Sequence, residues 1–153
     1  MKKIACLTMS WMLLASNVFA LDLSQFVGTW TRETDGVSYP ITITYDDETL
    51  VISDLLNGHG FDMDVLSRGS VMFDGDVPIS FTAGNVFDNT YVITIHMRLS
   101  EIAGAAHHIP DLFAMISLTR VGNELRVQLL GSGWSNTRGL WSNVASWSFE
   151  RRE

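Results

Sequence analysis

After residue 20, apolar and polar positions alternate with a period of two along most of the chain, the spacing of strands with one buried face and one wet face. In Pro40-Ile41-Thr42-Ile43-Thr44-Tyr45 the isoleucines and Tyr45 share one face and the threonines the other. Asp46-Asp47-Glu48 then turns the chain into Leu50-Val51-Ile52, a hairpin in which a readily solvated turn joins β-branched flanks. Phe61, Met63 and Val65 alternate with Asp62 and Asp64, and Ile79 and Phe81 with Ser80 and Thr82. The longest clean strand places Tyr91, Ile93, Ile95, Met97 and Leu99 on one face and Val92, Thr94, His96 and Arg98 on the other. Leu112 to Arg120 and Glu124 to Leu130 pair through Val121-Gly122-Asn123, where Gly122-Asn123 suits a tight turn with positive φ. A long last strand sets Trp141, Asn143, Ala145, Trp147, Phe149 and Arg151 against Ser142, Val144, Ser146, Ser148 and Glu150. Only Ser100 to His108 has the makings of a short helix, with Ser100 as its cap and Ala103, Ala105 and Ala106 as helix formers. The pattern predicts an all-β domain of about nine or ten strands, without repeats or a long linker.

The first twenty residues break this pattern. Lys2 and Lys3, an apolar stretch from Ile4 to Leu14 and the small residues around Val18-Phe19-Ala20 follow in the order of a secretory signal of bacterial type. The expectation is a signal peptide at 1–20, one domain at 21–153, and a periplasmic or secreted protein. Ser10, Ser16 and Asn17 interrupt the stretch too early for a membrane span, and no later segment is long enough, so no membrane insertion is expected after cleavage. Cys6, the one cysteine, leaves with the signal. So do both lysines, leaving eight arginines against 17 acidic residues, a balance of −9. An acidic surface is a poor match for nucleic acid, which needs clustered Lys and Arg.

At the start of the mature chain, Phe26-Val27-Gly28-Thr29-Trp30 resembles the Gly-x-Trp signature that opens the first strand of lipocalins and related calycin barrels. The resemblance implies a single antiparallel up-and-down β-barrel of about 8–10 strands with at most one short helix. It also implies that Trp30 closes one barrel end against an arginine near the last strand. Within Trp147-Ser148-Phe149-Glu150-Arg151 that residue is Arg151, and Gly28, Trp30 and Arg151 form the expected structural set. The chain lacks the disulfide cysteines of classical lipocalins and is nearer to the small bacterial lipocalin-like domains.

A barrel of this kind is expected to bind a small apolar or amphipathic molecule inside, without enzymatic activity. By strand face, the lining residues are Tyr45, Met63, Tyr91, Ile93, Met97, Trp147 and Phe149. Trp134 and Trp141, framed by Gly131-Ser132-Gly133 and Ser142-Asn143, supply rings for recognition, or else plug the barrel mouth. The inward set contains no lysine, so a neutral apolar ligand is expected, and a strongly anionic one only if Arg98, Arg120 or Arg126 points at it. The alternative is a protein-binding module, an inhibitor or envelope accessory factor with a filled barrel. An enzyme using His96 or the His107-His108 loop is the third reading. No nucleophile elbow, zinc-protease helix, phosphate loop or dinucleotide-binding pattern occurs, and processing removes any Cys nucleophile or Lys base. His96, beside Thr94 and Arg98 on one strand face, is the best acid–base group. His107-His108 with Asp111, and with His59 and His96 elsewhere, match no metal-binding spacing. The pairs Asp62/Asp64 and Asp74/Asp76 lack the pattern of a calcium loop. No metal or cofactor is assigned.

These readings predict an exported protein whose amino terminus is Leu21 and which forms no disulfide. Intact-mass measurement of the exported protein checks both, and a soluble product retaining Met1 to Ala20 would contradict them.

Overall fold

The computed structural model describes residues 22–56, 63–73, 77–87, 89–99, 111–135 and 139–152. The expected helix over Ser100 to His108 lies outside them, as do Phe61, Asp62, Asp74 and Asp76. A single 3-10 turn, Leu23–Phe26, precedes ten strands. These are β1 (Gly28–Thr34), β2 (Val37–Asp46), β3 (Thr49–Ser53), β4 (Val65–Leu66), β5 (Gly69–Phe73), β6 (Val77–Phe87), β7 (Thr90–Met97), β8 (Leu112–Val121), β9 (Glu124–Ser135) and β10 (Gly139–Arg151). They form one antiparallel sheet in the order β4-β3-β2-β1-β10-β9-β8-β7-β6-β5, rolled into a nearly closed up-and-down barrel.

The hairpin turns follow from residues that tolerate the left-handed region. Asp35-Gly36 (φ 54° and 77°) joins β1 to β2, and Asp47-Glu48 (φ 44° and 60°) joins β2 to β3. Both are two-residue turns with positive φ at each centre, whose twist matches that of the flanking strands. Glu48 is an unusual occupant of that region, and Arg68 clamps it: its Nη1 donates to Glu48 Oε2 at 3.1 Å, its Nε to Thr49 Oγ1 at 3.0 Å, and its Nη2 to the Asp47 carbonyl.

Arg68 belongs to the seam. β4 and β5 are the two sheet edges, joined by Ser67-Arg68 in the chain instead of by a ladder. Ser67, 2% exposed, finishes the β3 edge: its N–H donates to the Leu50 carbonyl at 2.8 Å, and its Oγ accepts from Leu50 N–H at 2.9 Å. A side-chain oxygen thus stands in for a missing strand carbonyl. β4 itself is shorter than the alternation from Phe61 predicts, beginning only at Val65.

The end of the barrel at which β1 begins, here called the lower end, is closed. Phe26, from the 3-10 turn, and Trp30, from β1, are both fully buried, and the Trp30 indole Nε1 donates to the Phe26 carbonyl at 2.8 Å. β1 meets β10 in register Trp30 to Arg151 and Thr31 to Glu150, so the first and last strands are neighbours. The Arg151 guanidinium lies 5.6 Å from the Trp30 ring centroid and donates to the Val27 carbonyl at 3.0 Å. Gly28, at φ 141°, leaves room for it, because a Cβ there would sit 3.3 Å from Arg151 Nη2. Arg120, from β8, adds a second cation 6.0 Å from the same ring and donates to the carbonyls of Gln25 at 2.7 Å and Gly122 at 2.9 Å. The Tyr91 ring packs on Phe26 at 6.4 Å between centroids.

Three substitutions test these ties. Trp30→Ala removes the largest fully buried ring and is expected to cost about 3–5 kcal/mol, whereas Ser67→Ala orphans the buried Leu50 N–H at about 1–3 kcal/mol. Arg151→Lys keeps the charge but loses the planar fork, and should cost about 1 kcal/mol. Urea unfolding of the three variants measures the differences, and curves that overlay wild type would remove Trp30 and Ser67 from these roles.

Candidate ligand-binding site

The inward side chains of β7 to β10 form rows across the sheet. From the lower end they read Tyr91-Leu118-Val127-Trp147, then Ile93-Ile116-Leu129-Ala145, then Ile95-Ala114-Gly131-Asn143. Side-chain volume falls from row to row. The first two rows, together with Phe81, Ile43, Leu50 and Ile52, belong to a packed core in which Ile93, Ile116 and Leu118 are fully buried. In the third row Ala114 and Gly131 stand where the lower rows carry Ile, Leu or Val, and the interior is left unfilled.

The result is an apolar cup of about 190 Å³. Met63, Ile79, Ile95 and Met97 line one side of it, Leu112, Ala114, Leu129 and Gly131 another, and Asn143, Ala145 and Leu56 border it. Two flexible methionines in its wall suit an apolar occupant of adaptable shape.

The expected lining residues are not brought together. Met63 and Met97 border the cup, and Tyr91 and Ile93 lie below it in the packed core. Trp147 and Phe149 face a separate cavity, described below. Tyr45 is 45% exposed at the lower end of β2, beside the Asp47-Glu48 turn, and borders neither space. Alternation assigns Tyr45 to the face of Ile41 and Ile43, but at its height the wall has ended and the ring meets solvent. Trp134 and Trp141 stand near the far ends of β9 and β10, where Trp141 pairs with Gly133 and Trp134 with Leu140.

The second cavity, about 310 Å³, opens where the β1–β10 ladder stops after Thr31 and Glu150. Arg32, Tyr39, Ile41, Leu55, Trp147 and Phe149 are among the residues that line it. Arg32 follows Trp30 on the same strand face and carries its charge toward the interior. Its guanidinium carbon lies 4.8 Å from the Tyr39 ring centroid, 5.8 Å from Trp147 and 6.0 Å from Phe149. Three rings offer a cation about 0.5–2 kcal/mol each according to exposure. They accept no ordinary hydrogen bonds, and the Arg32 Nε is shut off from solvent without an acceptor among the described residues. A buried donor left in that state costs about 1–3 kcal/mol.

The arginines considered from sequence are committed elsewhere. Arg120 serves the closed end, and Arg98 has an interaction of its own. Arg126 forks onto Glu124 at 3.2 and 3.0 Å on the outer surface. Hydrogen bonds from Arg126 first, and from Ser148 second, hold the Glu124 carboxyl below the ordinary carboxylate range. That pair's contribution is present at neutral pH and lost on acidification through the lowered pKa. Arg32 was legible only through its spacing from Trp30.

His96 lies on the outer face. Its Nε2 is 3.1 Å from Asp111 Oδ2, and its ring stacks on Phe113 at 4.3 Å between centroids. A carboxylate that orients an imidazole is half of an acid–base device, but among the described residues no hydroxyl or thiol is hydrogen-bonded to the ring. The described residues hold no group of three metal-ligating side chains. His59, His107 and His108 lie outside them.

Compared with known proteins, the chain matches no family model, no curated protein and no solved structure. The barrel architecture therefore stands on the strand order and register alone, and the resemblance at Gly28-Thr29-Trp30 assigns no family.

Proposed function

We propose that this protein is an exported, non-enzymatic β-barrel that holds one small apolar or amphipathic molecule in its interior. The observation that carries the reading is the unfilled apolar cup above a packed lower core. A barrel whose interior served stability alone would gain from larger side chains at Ala114, Gly131 and Ala145, because apolar contact is lost wherever an interior is left empty. The cup is small, which favours a compact ligand or one reaching beyond it. The bacterial-type signal supports a periplasmic or secreted location.

A second reading has its own observation. On the outer face Met115, Leu130 and Val144 are direct cross-strand partners, 43%, 47% and 71% exposed, with Phe113 beside them. A contiguous apolar ladder of this kind supports a protein-binding module.

Titration with a neutral apolar fluorophore separates the two. The expected result is saturable binding of about one probe per chain, with quenched tryptophan emission and little response to salt, because screening weakens charge contacts and leaves burial unchanged. Gly131→Val should fill the cup without unfolding the barrel, since a Cβ at Gly131 meets only Ala114 Cβ at 3.8 Å. Its affinity for the probe should fall about tenfold or more, equivalent to about 1.4 kcal/mol. Absence of saturable binding, together with partner binding lost in Val144→Glu, would move the assignment to the protein-binding module.

A further inference from the structure

We infer that Arg32 is an anion anchor and that the ligand is a monocarboxylate with an apolar body, its carboxylate paired with the Arg32 guanidinium. The inference rests on the reading of the barrel interior as a small-molecule site, and it names the chemistry at one end of that molecule. Arg32 borders a cavity of about 310 Å³ and packs against the rings of Tyr39, Trp147 and Phe149. Those rings hold the flat cation in place and supply no formal negative charge. Among the described residues Arg32 forms no ion pair, and its Nε has no hydrogen-bond acceptor. Four other arginines contrast with this: Arg68 and Arg126 pair with glutamates, and Arg120 and Arg151 donate to backbone carbonyls; Arg98 shares the buried Nε without an acceptor but has an interaction of its own. A cation set among aromatic rings, beside open space and with no counterion among the described residues, has at its Nε a donor that a carboxylate could satisfy, and a guanidinium matches that group's planar geometry.

The surroundings fit an amphipathic molecule better than a free inorganic ion. Ile41, Leu55 and the three rings give the cavity apolar walls. Leu55 borders this cavity and Leu56 the apolar cup, and on β10 the cup's Ala145 is followed on the same face by Trp147 of the anion cavity. A molecule with its carboxylate at Arg32 therefore has apolar surface to cover in both directions. The chain's acidic balance argues against general attraction of anions, so any preference for one must be local to this cation. Asp54, an acidic residue at the border of the cavity, already takes part in an interaction of its own.

The test compares octanoate with its methyl ester, which has the same apolar chain without the charge, by calorimetry and by tryptophan emission of the full-length mature protein. Octanoate should bind at least about tenfold more tightly than the ester, and added salt should narrow the gap. Arg32→Gln should bring acid and ester to nearly equal affinity, chiefly by weakening octanoate about tenfold, and Arg32→Lys should restore only part of the preference. Equal affinities of acid and ester for the wild-type protein would overturn the anchor and leave the apolar site standing. Failure of both to bind would overturn the interior site itself. Because the wild-type comparison needs no variant, the proposal is decided even if Arg32→Gln does not fold. Tighter binding of octyl phosphate than of octanoate would replace the carboxylate assignment.

Discussion

The burial of Trp30 is the constraint around which the barrel is organised. One ring ties the 3-10 turn to β1 through its indole hydrogen bond to Phe26, and it lies against cations from β8 and β10. Those cations in turn satisfy carbonyls at Gln25, Gly122 and Val27, groups that leave the sheet just where the barrel needs a floor. A meander of antiparallel strands has no covalent link that brings its first and last members together. The β1–β10 register, only Trp30 to Arg151 and Thr31 to Glu150, shows how narrow that junction is.

A short junction has a consequence higher up. Once the β1–β10 ladder ends, Arg32 and the rings of Trp147 and Phe149 face one another across a gap instead of across a hydrogen-bonded pair. Closure of the lower end and the opening of the side cavity are thus two results of the same strand divergence. The seam at the opposite side of the sheet is handled differently, by the Ser67 hydroxyl finishing the edge of β3 and by Arg68 clamping a turn that contains a left-handed glutamate. Both junctions use polar side chains where a regular ladder would use backbone.

The interior is graded. Branched side chains fill the lower rows, and alanine and glycine leave the third row open. Packing of the lower rows supplies stability, while the small residues above give up dispersion contacts and create space. On the outer surface Met115, Leu130 and Val144 form an apolar stripe, with the exposed Phe113 beside them. Interior space and exterior stripe lie on opposite faces of the same three strands.

Period-two alternation made the all-β class legible, along with the faces of β7 and β10, because which face a residue occupies is decided by its immediate neighbours along the strand, and turn-prone residues marked the hairpins at Asp47-Glu48 and Gly122-Asn123. Arg151 was named through the resemblance at Gly28-Thr29-Trp30 and not through pattern, and its guanidinium lies 5.6 Å from the Trp30 ring centroid. Height within the barrel was not legible. Tyr45 shares a face with Ile43 yet lies in solvent, and Tyr91, Met97 and Trp147 share an interior yet meet packed core, cup and side cavity respectively. Alternation carries no information about where a wall ends or which strand lies across from it, since both depend on the register between segments far apart in the chain. For the same reason Arg32 drew no notice in the sequence, and only the tertiary structure surrounded it with Tyr39, Trp147 and Phe149, because a cage needs contacts from three strands and a local pattern describes one at a time.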